Sequence, residues 1–545
     1  MCDAVQLYRE APGLAPTVFI SSEAAMRALT DSHSPGARLM GSALKKITSM
    51  HSYQQLQRVA LTAVAVLVAC ASPGYRPPPV RVAPAYDVAS AGASATAANE
   101  SSGTVQAASS TTTVGRSARF NSSVSNTPFW RQLGDSTLVA LVNAALQTST
   151  DVQVAVSRLT SARAVRRLSA FDLAPTITAI GSATRTRLAM AQMPGVTFQP
   201  PSSSLYDVGF DASWELDVFG RVRRSVSAQS AFVEAAEHGL DDVQVSLAAE
   251  VARTYFELRG AQRQLAVAQR NAEVQRRTVR LTEDRLAAGR GTAFDTERAR
   301  SVLQLTLAAV PAIETQISAN RFRLSVLLGR TAEELPASLA AAADLPALPD
   351  TVNVGSPQQL VRRRPDVLSA ERQFAAQSLS VGVAQSAYLP RLTIGASAGY
   401  ASSRFDSLTR SGSSRILVGP VLSWPLLDLG RVRQRVDIAH AEEEEARVQY
   451  TATVLRAVEE TQTALVAYDR SHARVGILTE AVRASTRASE LAQQRFEAGL
   501  TDFLQVLDAQ RTQLEAENQL AQAHTAAVTA LVSVYKATGG TWPLK

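Results

Sequence analysis

Residues 206–216 read YDVGFDASWEL, and their apolar and polar side chains alternate strictly. A period of two puts each set on its own face, so this stretch predicts a β-strand with one apolar and one polar face. Residues 392–400 alternate in the same way, and 177–183 and 416–424 do so more weakly. The sequence therefore predicts two strand pairs, 175–190 with 205–216 and 390–402 with 414–424.

The chain repeats itself around these strands. A tryptophan followed six residues later by a Gly-Arg pair occurs twice, at an offset of 210 residues: Trp214, Gly220 and Arg221, then Trp424, Gly430 and Arg431. Upstream, an offset of 215 residues relates Asp151 to Asp366, which requires one length change of five residues. Matches held in register over about 150 residues predict a tandem duplication.

Each repeat is expected to open with a helix, over 136–170 and 357–387, and to end in a very long helical segment. Neither 202–310 nor 426–542 contains a proline. In the first long segment, apolar residues recur every seven positions, which is typical of a coiled-coil seam: Val251, Leu258, Leu265, Ala272, Val279 and Leu286. A helix over 220–288 would be a rod about 100 Å long. Glycine commonly follows the last helical turn, so the rods should end at Gly289 and Gly499.

The N-terminal region has the pattern of an export signal. The longest apolar stretch is 59–69, preceded by basic residues and ending in Leu-Val-Ala before Cys70. This resembles a bacterial lipoprotein signal, cleaved before Cys70 with lipid on its thiol; an ordinary signal with an incidental cysteine is the alternative. The predicted divisions are an extension upstream of a start at Met40 or Met50 (1–39), the signal (40–69), a flexible lipid-anchored linker rich in Ser, Ala, Thr, Gly and Pro (70–127), the first repeat (128–350) and the second repeat (351–545).

The composition argues against several function classes. Of 545 residues, 55 are Lys or Arg and 48 are Asp or Glu, and the resulting net charge of +7 is weak evidence for a nucleic-acid partner. Two cysteines and six scattered histidines favour neither a metal site nor a disulfide framework, so we expect no metal or cofactor. Residues 395–399 match the G-x-S-x-G element of hydrolases, but that element requires a strand, a sharp turn and a helix. Here it lies inside a predicted strand, so we expect no enzyme.

The strands have the length of bilayer-spanning strands. Ten to twelve residues with aromatics near the ends fit a transmembrane β-barrel, whereas no apolar run reaches the ~18 residues of a spanning helix. Four strands cannot close, and an open edge in lipid leaves backbone groups unpaired. Strands from more than one chain must therefore complete the barrel. Two chains would give a barrel filled by side chains, and three would leave room for an aqueous lumen.

These features together resemble the TolC-like outer-membrane efflux proteins, in the lipid-anchored branch that serves resistance-nodulation-division pumps. The resemblance covers 128–545 and rests on the lipoprotein signal, the two tryptophan elements, the run Arg362-Arg363-Arg364-Pro365-Asp366-Val367 and the run Leu507-Asp508-Ala509-Gln510-Arg511. It implies an α+β membrane protein with an internal duplication. Three chains would form a twelve-strand outer-membrane β-barrel, continued by a coiled-coil α-helical tunnel through the periplasm.

The implied function is that of an exit duct in a tripartite efflux system. A homotrimer in outer-membrane lipid would take drugs or other small toxic solutes from an inner-membrane pump of the resistance-nodulation-division class, through a periplasmic adaptor. Two alternatives keep the fold: an exit duct for type I protein secretion, or one for heavy-metal efflux. A structural coiled-coil stalk is a remoter alternative, since it explains the heptads but not the strand pairs.

The resemblance also implies where the periplasmic mouth closes. Leu504 and Asp508 match the constricting leucine and aspartate of the family, and Arg511 matches the arginine that pairs near them. Gln505 stands where some relatives have a second aspartate, so this position would not contribute to a second acidic ring. Leu504, Asp508 and Arg511 stand at positions i, i+4 and i+7, which share one face of a helix. The alternative to a gate is an ordinary solvated Asp/Arg pair on a helix surface. The adaptor is expected to contact the hairpin turns, at Arg285, Gly289, Arg495 and Gly499.

Overall fold

The computed structural model describes residues 86, 119–121, 127–189 and 201–540, together with positions 191, 195 and 198. All of them belong to one compact unit, Tyr75–Lys545. Cys70, the predicted signal and most of the predicted linker lie outside the described residues.

The first repeat runs from short helices through a strand pair into a long helical hairpin. A three-residue strand, β1 (Arg119–Asn121), precedes it. The elements that follow are α1 (Phe129–Gln132), α2 (Ser136–Thr148), α3 (Thr150–Phe171), β2 (Thr176–Thr186), β3 (Ser203–Leu216), α4 (Arg221–Ala287) and α5 (Ala293–Leu327).

The second repeat has the same order of elements. It comprises β4 (Thr351–Asn353), α6 (Pro357–Val361), α7 (Pro365–Gln385), β5 (Arg391–Ser402), β6 (Ser414–Ser423), α8 (Leu429–Glu497) and α9 (Phe503–Ala537). The two longest helices, α4 and α8, have 67 and 69 residues. At ~1.5 Å per residue, each is a rod about 100 Å long.

The four long strands form one antiparallel sheet in the order β2-β3-β5-β6. The pairing keeps the apolar residues on one face: Val208 lies opposite Tyr400, and Phe210 lies opposite Ala398. In this single chain that face is exposed, with Phe210 61% and Ile416 80% accessible. The outer strands β2 and β6 each have one unpaired edge among the described residues. The sheet therefore has an uncovered apolar face and two open edges.

The boundaries differ from the sequence expectations in places. β2 ends at Thr186 rather than 190, and the helix expected over 136–170 is interrupted at Ser149. Helix α5 continues through Pro311, although a proline in a helix interior removes one backbone hydrogen bond. Residues 119–121, within the predicted flexible linker, instead pair in parallel with β4. A three-residue strand has no sequence periodicity, so alternation could not reveal it.

The largest buried cluster lies where α2, α4, α5, α8 and α9 meet. Phe129 stacks on Tyr535 at 5.4 Å between ring centroids and meets Trp130 edge-on at 5.2 Å. Tyr255 lies in the same cluster, and its hydroxyl donates to Asp135 at 2.6 Å. Asp135 also caps α2 by accepting from two backbone amides. This cluster fixes the middle of α4 and α8 against the C-terminal ends of α5 and α9.

The predicted heptad seam of α4 is only partly buried. Four of its six positions are buried, but Leu265 is half-buried and Leu286 is 39% exposed. Leu286 is exposed because it lies in the last turn of α4, beside the hairpin tip. Polar residues occupy other buried positions of the same helix: Asn271, Gln275, Thr278 and Thr282.

Among the described helices, α5 alone is long and apolar enough to cross a membrane, with a mean hydropathy of 1.2 over its best 18-residue window. One such helix is weak evidence for a membrane span, because length and composition alone do not separate it from a core helix.

Candidate functional site

The two hairpin tips are built alike. Each long helix ends at a glycine in the left-handed region, Gly289 with φ 72° and Gly499 with φ 74°. The amide after each glycine donates to a carbonyl five residues back, Arg285 in the first hairpin and Arg495 in the second, both at 2.8 Å. This pattern is the Schellman motif, which needs a residue that adopts positive φ without strain. The four residues predicted at the turns therefore lie at equivalent positions.

The two tip arginines nevertheless have different surroundings. The guanidinium of Arg285 lies 3.8 Å from the centroid of the Phe496 ring, and Phe496 packs against Phe503 at 5.5 Å. Phe496 and Phe503 belong to a small buried cluster shared by both hairpins. Arg495 is exposed. Since a cation–π contact contributes roughly 0.5–2 kcal/mol, Arg285 ties the first hairpin to the second, whereas Arg495 faces solvent.

The predicted gate residues lie on the first three turns of α9. Asp502 caps this helix by accepting from the Gln505 amide at 3.2 Å. One face of these turns packs into the buried tip cluster, while Leu504, Asp508 and Arg511 lie on the exposed remainder. Among the residues that the structure describes, no ion pair joins Asp508 to Arg511. In a single chain the three side chains are therefore exposed, and Asp508 and Arg511 do not pair with each other within the described residues.

The first repeat presents different chemistry at the equivalent position. The offset of 210 residues relates Leu504 to Phe294 and Asp508 to Arg298. Phe294 is 70% exposed, and Arg298 is exposed as well. An aromatic ring and a cation thus replace a leucine and an anion. Phe294 was not among the residues predicted from sequence, although the same offset relates it to Leu504.

The two tryptophan elements join strand to helix in the same way. Trp214 Nε1 donates to the Leu173 carbonyl and Trp424 Nε1 donates to the Tyr388 carbonyl, both at 3.0 Å. Leu173 and Tyr388 lie just before the first strand of each pair. Each tryptophan therefore fixes the end of one strand to the start of its neighbour.

The Gly-Arg pairs that follow have diverged. Arg221 forms a bidentate ion pair with Glu215, with both N···O distances at 2.8 Å. Gly220 lies just before α4, whereas Gly430 lies inside α8. Arg431 pairs with Asp428 at 3.0 Å, and both of these side chains are exposed. The junction of strand and helix is therefore braced more firmly in the first repeat.

Arg364 occupies the centre of a network that the sequence analysis quoted as a motif without assigning it a role. It is 8% exposed and bonds Asp366 and Glu460 at 2.7 Å each. It also donates to the Ala537 carbonyl at 3.2 Å, at the end of α9. Burial works to lower the pKa of Arg364, but the hydrogen bonds that its guanidinium donates to Asp366 and then to Glu460, with the attraction of those carboxylates, outweigh burial and raise that pKa. One guanidinium thus joins α7, α8 and α9.

Asp242 lies on α4 beside this network. Burial, followed by repulsion from Asp366, raises the pKa of Asp242 to about 6, against the opposing attraction of Arg364 and Lys536.

The structure offers no arrangement for covalent chemistry at the G-x-S-x-G element, because all five residues lie inside β5. In the parts of the chain that the structure describes, no group of three or more His, Cys, Asp or Glu side chains could hold a metal ion. The functional features of the described residues are therefore the sheet with its exposed apolar face, the long helices α4 and α8, and the two hairpin tips.

Comparison with known proteins identifies this arrangement. The family model for outer membrane efflux proteins matches residues 141–330 and 356–540, that is, both repeats. The chain belongs to the outer membrane efflux protein family. Its place of action is accordingly the outer membrane, and its activity is efflux.

Relatives of this efflux protein cover most of both chains. It is 30% identical to the solvent efflux pump outer membrane protein SrpC of Pseudomonas putida over 413 residues, or 75% of this chain and 86% of that one. It is also 30% identical to the outer membrane protein OprJ of Pseudomonas aeruginosa over 432 residues, or 78% and 89%. The solved structure of the outer-membrane channel OprN superposes with a TM-score of 0.74 at 36% identity, covering 86% of this chain and 99% of that one. The fold is therefore that of the β-barrel and helical-tunnel channels.

Proposed function

We propose that three copies of this chain form the exit duct of a tripartite efflux system. Three four-stranded sheets would close a twelve-strand barrel in the outer membrane. The helices would continue the barrel as a tunnel through the periplasm. Small toxic solutes would leave the cell through this passage.

The main support for this proposal is the four-stranded sheet, which has two unpaired edges and one exposed apolar face. Strand edges that remain unpaired in lipid cost several kcal/mol for each backbone group, so β2 and β6 need partners. Joining β6 of one copy to β2 of the next supplies those partners without changing the sheet. The exposed apolar face would then meet lipid, and the polar face would line a lumen. Eight strands would leave an interior filled by side chains, which favours three copies over two.

The periplasmic mouth would close where the hairpin tips of three copies meet. Three copies of Asp508 around one axis would form an anionic ring that favours cations. Arg511 has no ion pair with Asp508 within the described chain, so it is open to a carboxylate of a neighbouring copy. Leu504, at 45% exposure, would narrow the same ring. Gln505 leaves the ring with one acidic layer.

The partners and substrates follow by extension from the relatives. Curated relatives are named for efflux of solvents and toluene and for pyoverdine export, all of which are small molecules. We extend this substrate class to the present chain, in preference to protein secretion or heavy-metal efflux. A periplasmic adaptor would bind at the hairpin tips, where Arg495 and Phe294 are exposed. An inner-membrane pump of the resistance-nodulation-division class would supply the solute.

Lipid attachment at Cys70 is part of the proposal. The Leu-Val-Ala-Cys sequence ending at residue 70 supports it, and several acyl chains together would hold the mature N-terminus far more firmly than a single one. Mass spectrometry of the mature N-terminus tests it. We expect an N-terminal acylated cysteine; an unmodified Cys70, or residues retained before it, would refute the attachment.

Deletion of the encoding gene in its own bacterium tests the export function. Loss of the duct should raise the intracellular accumulation of a lipophilic dye, and the intact chain supplied in trans should restore low accumulation. Unchanged accumulation and unchanged susceptibility to solvents, dyes and drugs in the deletion strain would contradict the proposal.

A further inference from the structure

The polar face of the sheet carries one long cross-strand ion pair. Arg415, the second residue of β6, reaches across β5 to Asp207 on β3, with an N···O distance of 2.7 Å. On the way its guanidinium donates to the hydroxyl of Ser397 on β5. This single side chain therefore contacts three strands and joins the strand pair of the second repeat to that of the first.

Two glycines make room for this arginine. In the sheet register Arg415 lies opposite Gly399, which in turn lies opposite Gly209. The distance to be crossed is two strand spacings, about 10 Å, so any side chain at residue 399 would stand in its path. The strands also approach closely here: a Cβ on Gly209 would lie 2.5 Å from the Ala398 carbonyl oxygen. In the G-x-S-x-G element, Gly399 thus leaves the path of Arg415 free of a side chain, and Ser397 provides a hydroxyl that accepts a hydrogen bond from it.

The charges around this arginine do not balance. Asp207 and Asp211 flank Gly209 on β3, two residues to either side, and Asp211 lies opposite Ser397. Residues two apart on a strand share a face, so both carboxylates lie on the face that Arg415 crosses. Two anions therefore accompany one cation. The first repeat has no counterpart, since the offset of 210 residues places Leu205 where the second repeat has Arg415.

The location of the cluster is the end of the barrel remote from the helices. β3 and β6 both begin at the loops that face away from the long rods, and Asp207 and Arg415 lie near those beginnings. The periplasmic gate residues lie at the opposite end of the rods. The two charge clusters are therefore separate along the length of the molecule.

We propose that Arg415 is a selectivity-determining residue of the channel, acting at the outer end of the barrel. This inference rests on the proposed function, because only a closed trimer places the polar face around a lumen. Three copies would present three arginines among six aspartates. The fixed arginine neutralises half of the aspartate charge, which limits the cation preference of the outer lumen.

Ion permeability in planar bilayers tests the proposal. The full-length protein is reconstituted and the reversal potential is measured across a KCl gradient. Arg415→Ala should raise the ratio of K⁺ to Cl⁻ permeability at least about twofold, and Asp211→Asn should lower it. Each variant is also measured together with Asp508→Ala, since a wider periplasmic mouth would give the barrel a larger share of the total resistance.

Two further variants separate charge from structure. Arg415→Lys keeps the cation but loses the guanidinium fork, so the permeability ratio should stay near that of the wild type even if thermal stability falls. Arg404→Ala removes the same charge from an exposed loop pair, in which Arg404 bonds Asp406 at 2.7 Å, and should change the ratio much less than Arg415→Ala.

The outcomes are distinct. A preparation that forms no trimer and carries no current contradicts the proposed channel itself. A conducting trimer whose permeability ratio is the same with Arg415 or alanine, in both backgrounds, refutes the role of Arg415 alone. An equal shift with Arg404→Ala also refutes it, because the effect would then depend on net charge rather than on this site.

Discussion

At the scale of the residue, Arg364 shows how a sequence motif becomes a structural joint. Its polar partners include Asp366 on α7, two residues away, and two groups on helices that are distant in sequence, Glu460 on α8 and the Ala537 carbonyl on α9. A buried arginine is stable only when its donors are satisfied, and here carboxylates and a carbonyl satisfy them. The motif was recognisable from sequence, but Glu460 and Ala537 lie 96 and 173 residues away and no local pattern indicates them.

We expect Arg364→Ala to destabilise the chain by about 3 kcal/mol, because removing the cation leaves two carboxylates without their partner. Thermal unfolding in detergent, followed by circular dichroism, measures the effect. Arg362→Ala is the matched control, since Arg362 lies two residues away and is exposed. Equal unfolding midpoints for Arg364→Ala and Arg362→Ala would show that the network does not stabilise the fold.

Asp242 gives a prediction about pH. Because its pKa rises to about 6 in the folded chain, the folded state holds a proton that the unfolded chain releases near pH 4. Stability should therefore fall as pH rises from about 4 to about 6. Asp242→Asn should be more stable than the wild type by about 1–3 kcal/mol at pH 8 and by little at pH 4. Unfolding midpoints of the two proteins that differ by a constant amount between pH 4 and pH 8 would contradict this account.

At the scale of the element, the strands were more predictable than the helices. Alternation that is strict in β3 and β5 and weaker in β6 located these strands to within a few residues, because one face meets an apolar environment and the other a polar one. The break at Ser149 and the passage of α5 through Pro311 depend on packing against other helices, which local sequence does not encode. The family resemblance suggested Leu504, Asp508 and Arg511 as gate residues, and their spacing predicted that they share one face of a helix. The contact between Arg285 and Phe496 joins separate hairpins, so it could be found only from the fold.

The long helix α4 contains a buried side chain with no partner. Gln275 is 3% exposed, and neither of its amide atoms has a hydrogen-bond partner among the described residues. Gln275→Leu should therefore raise stability by about 1–2 kcal/mol, since a leucine removes the unmet polar atoms. Gln262→Leu on the same helix is the control and should destabilise, because Gln262 donates to the Leu339 carbonyl at 2.7 Å. If Gln275→Leu destabilises the chain as much as Gln262→Leu does, the buried amide of Gln275 does not lower the stability of the wild type.

The second hairpin is expected to be the part of the gate that moves. Asp508→Ala should raise single-channel conductance and weaken cation preference, because it removes the anionic ring and any bond to Arg511. Arg511→Ala should also raise conductance while cation preference persists or grows. Arg298→Ala, at the equivalent position of the first hairpin, should not reproduce either response. Unchanged conductance and selectivity in both second-hairpin variants would return Asp508 and Arg511 to the role of ordinary surface residues.

At the scale of the whole molecule, the account depends on assembly. One chain leaves an apolar sheet face exposed and two strand edges unpaired, so the described structure is incomplete in any bilayer. The sequence could indicate this, because the number of strands and the rule against open edges in lipid are both available without coordinates. The number of copies follows from barrel size and from the family resemblance rather than from contacts within one chain.

Native mass spectrometry of the detergent-extracted protein measures how many chains the assembled duct contains. Edge-to-edge closure of the sheet predicts a single dominant species with three chains, and cysteines placed by Thr178→Cys in β2 and Leu417→Cys in β6 should crosslink between chains and not within one. A stable monomer or dimer that retains its strand content, or crosslinks confined to single chains, would contradict the trimeric duct.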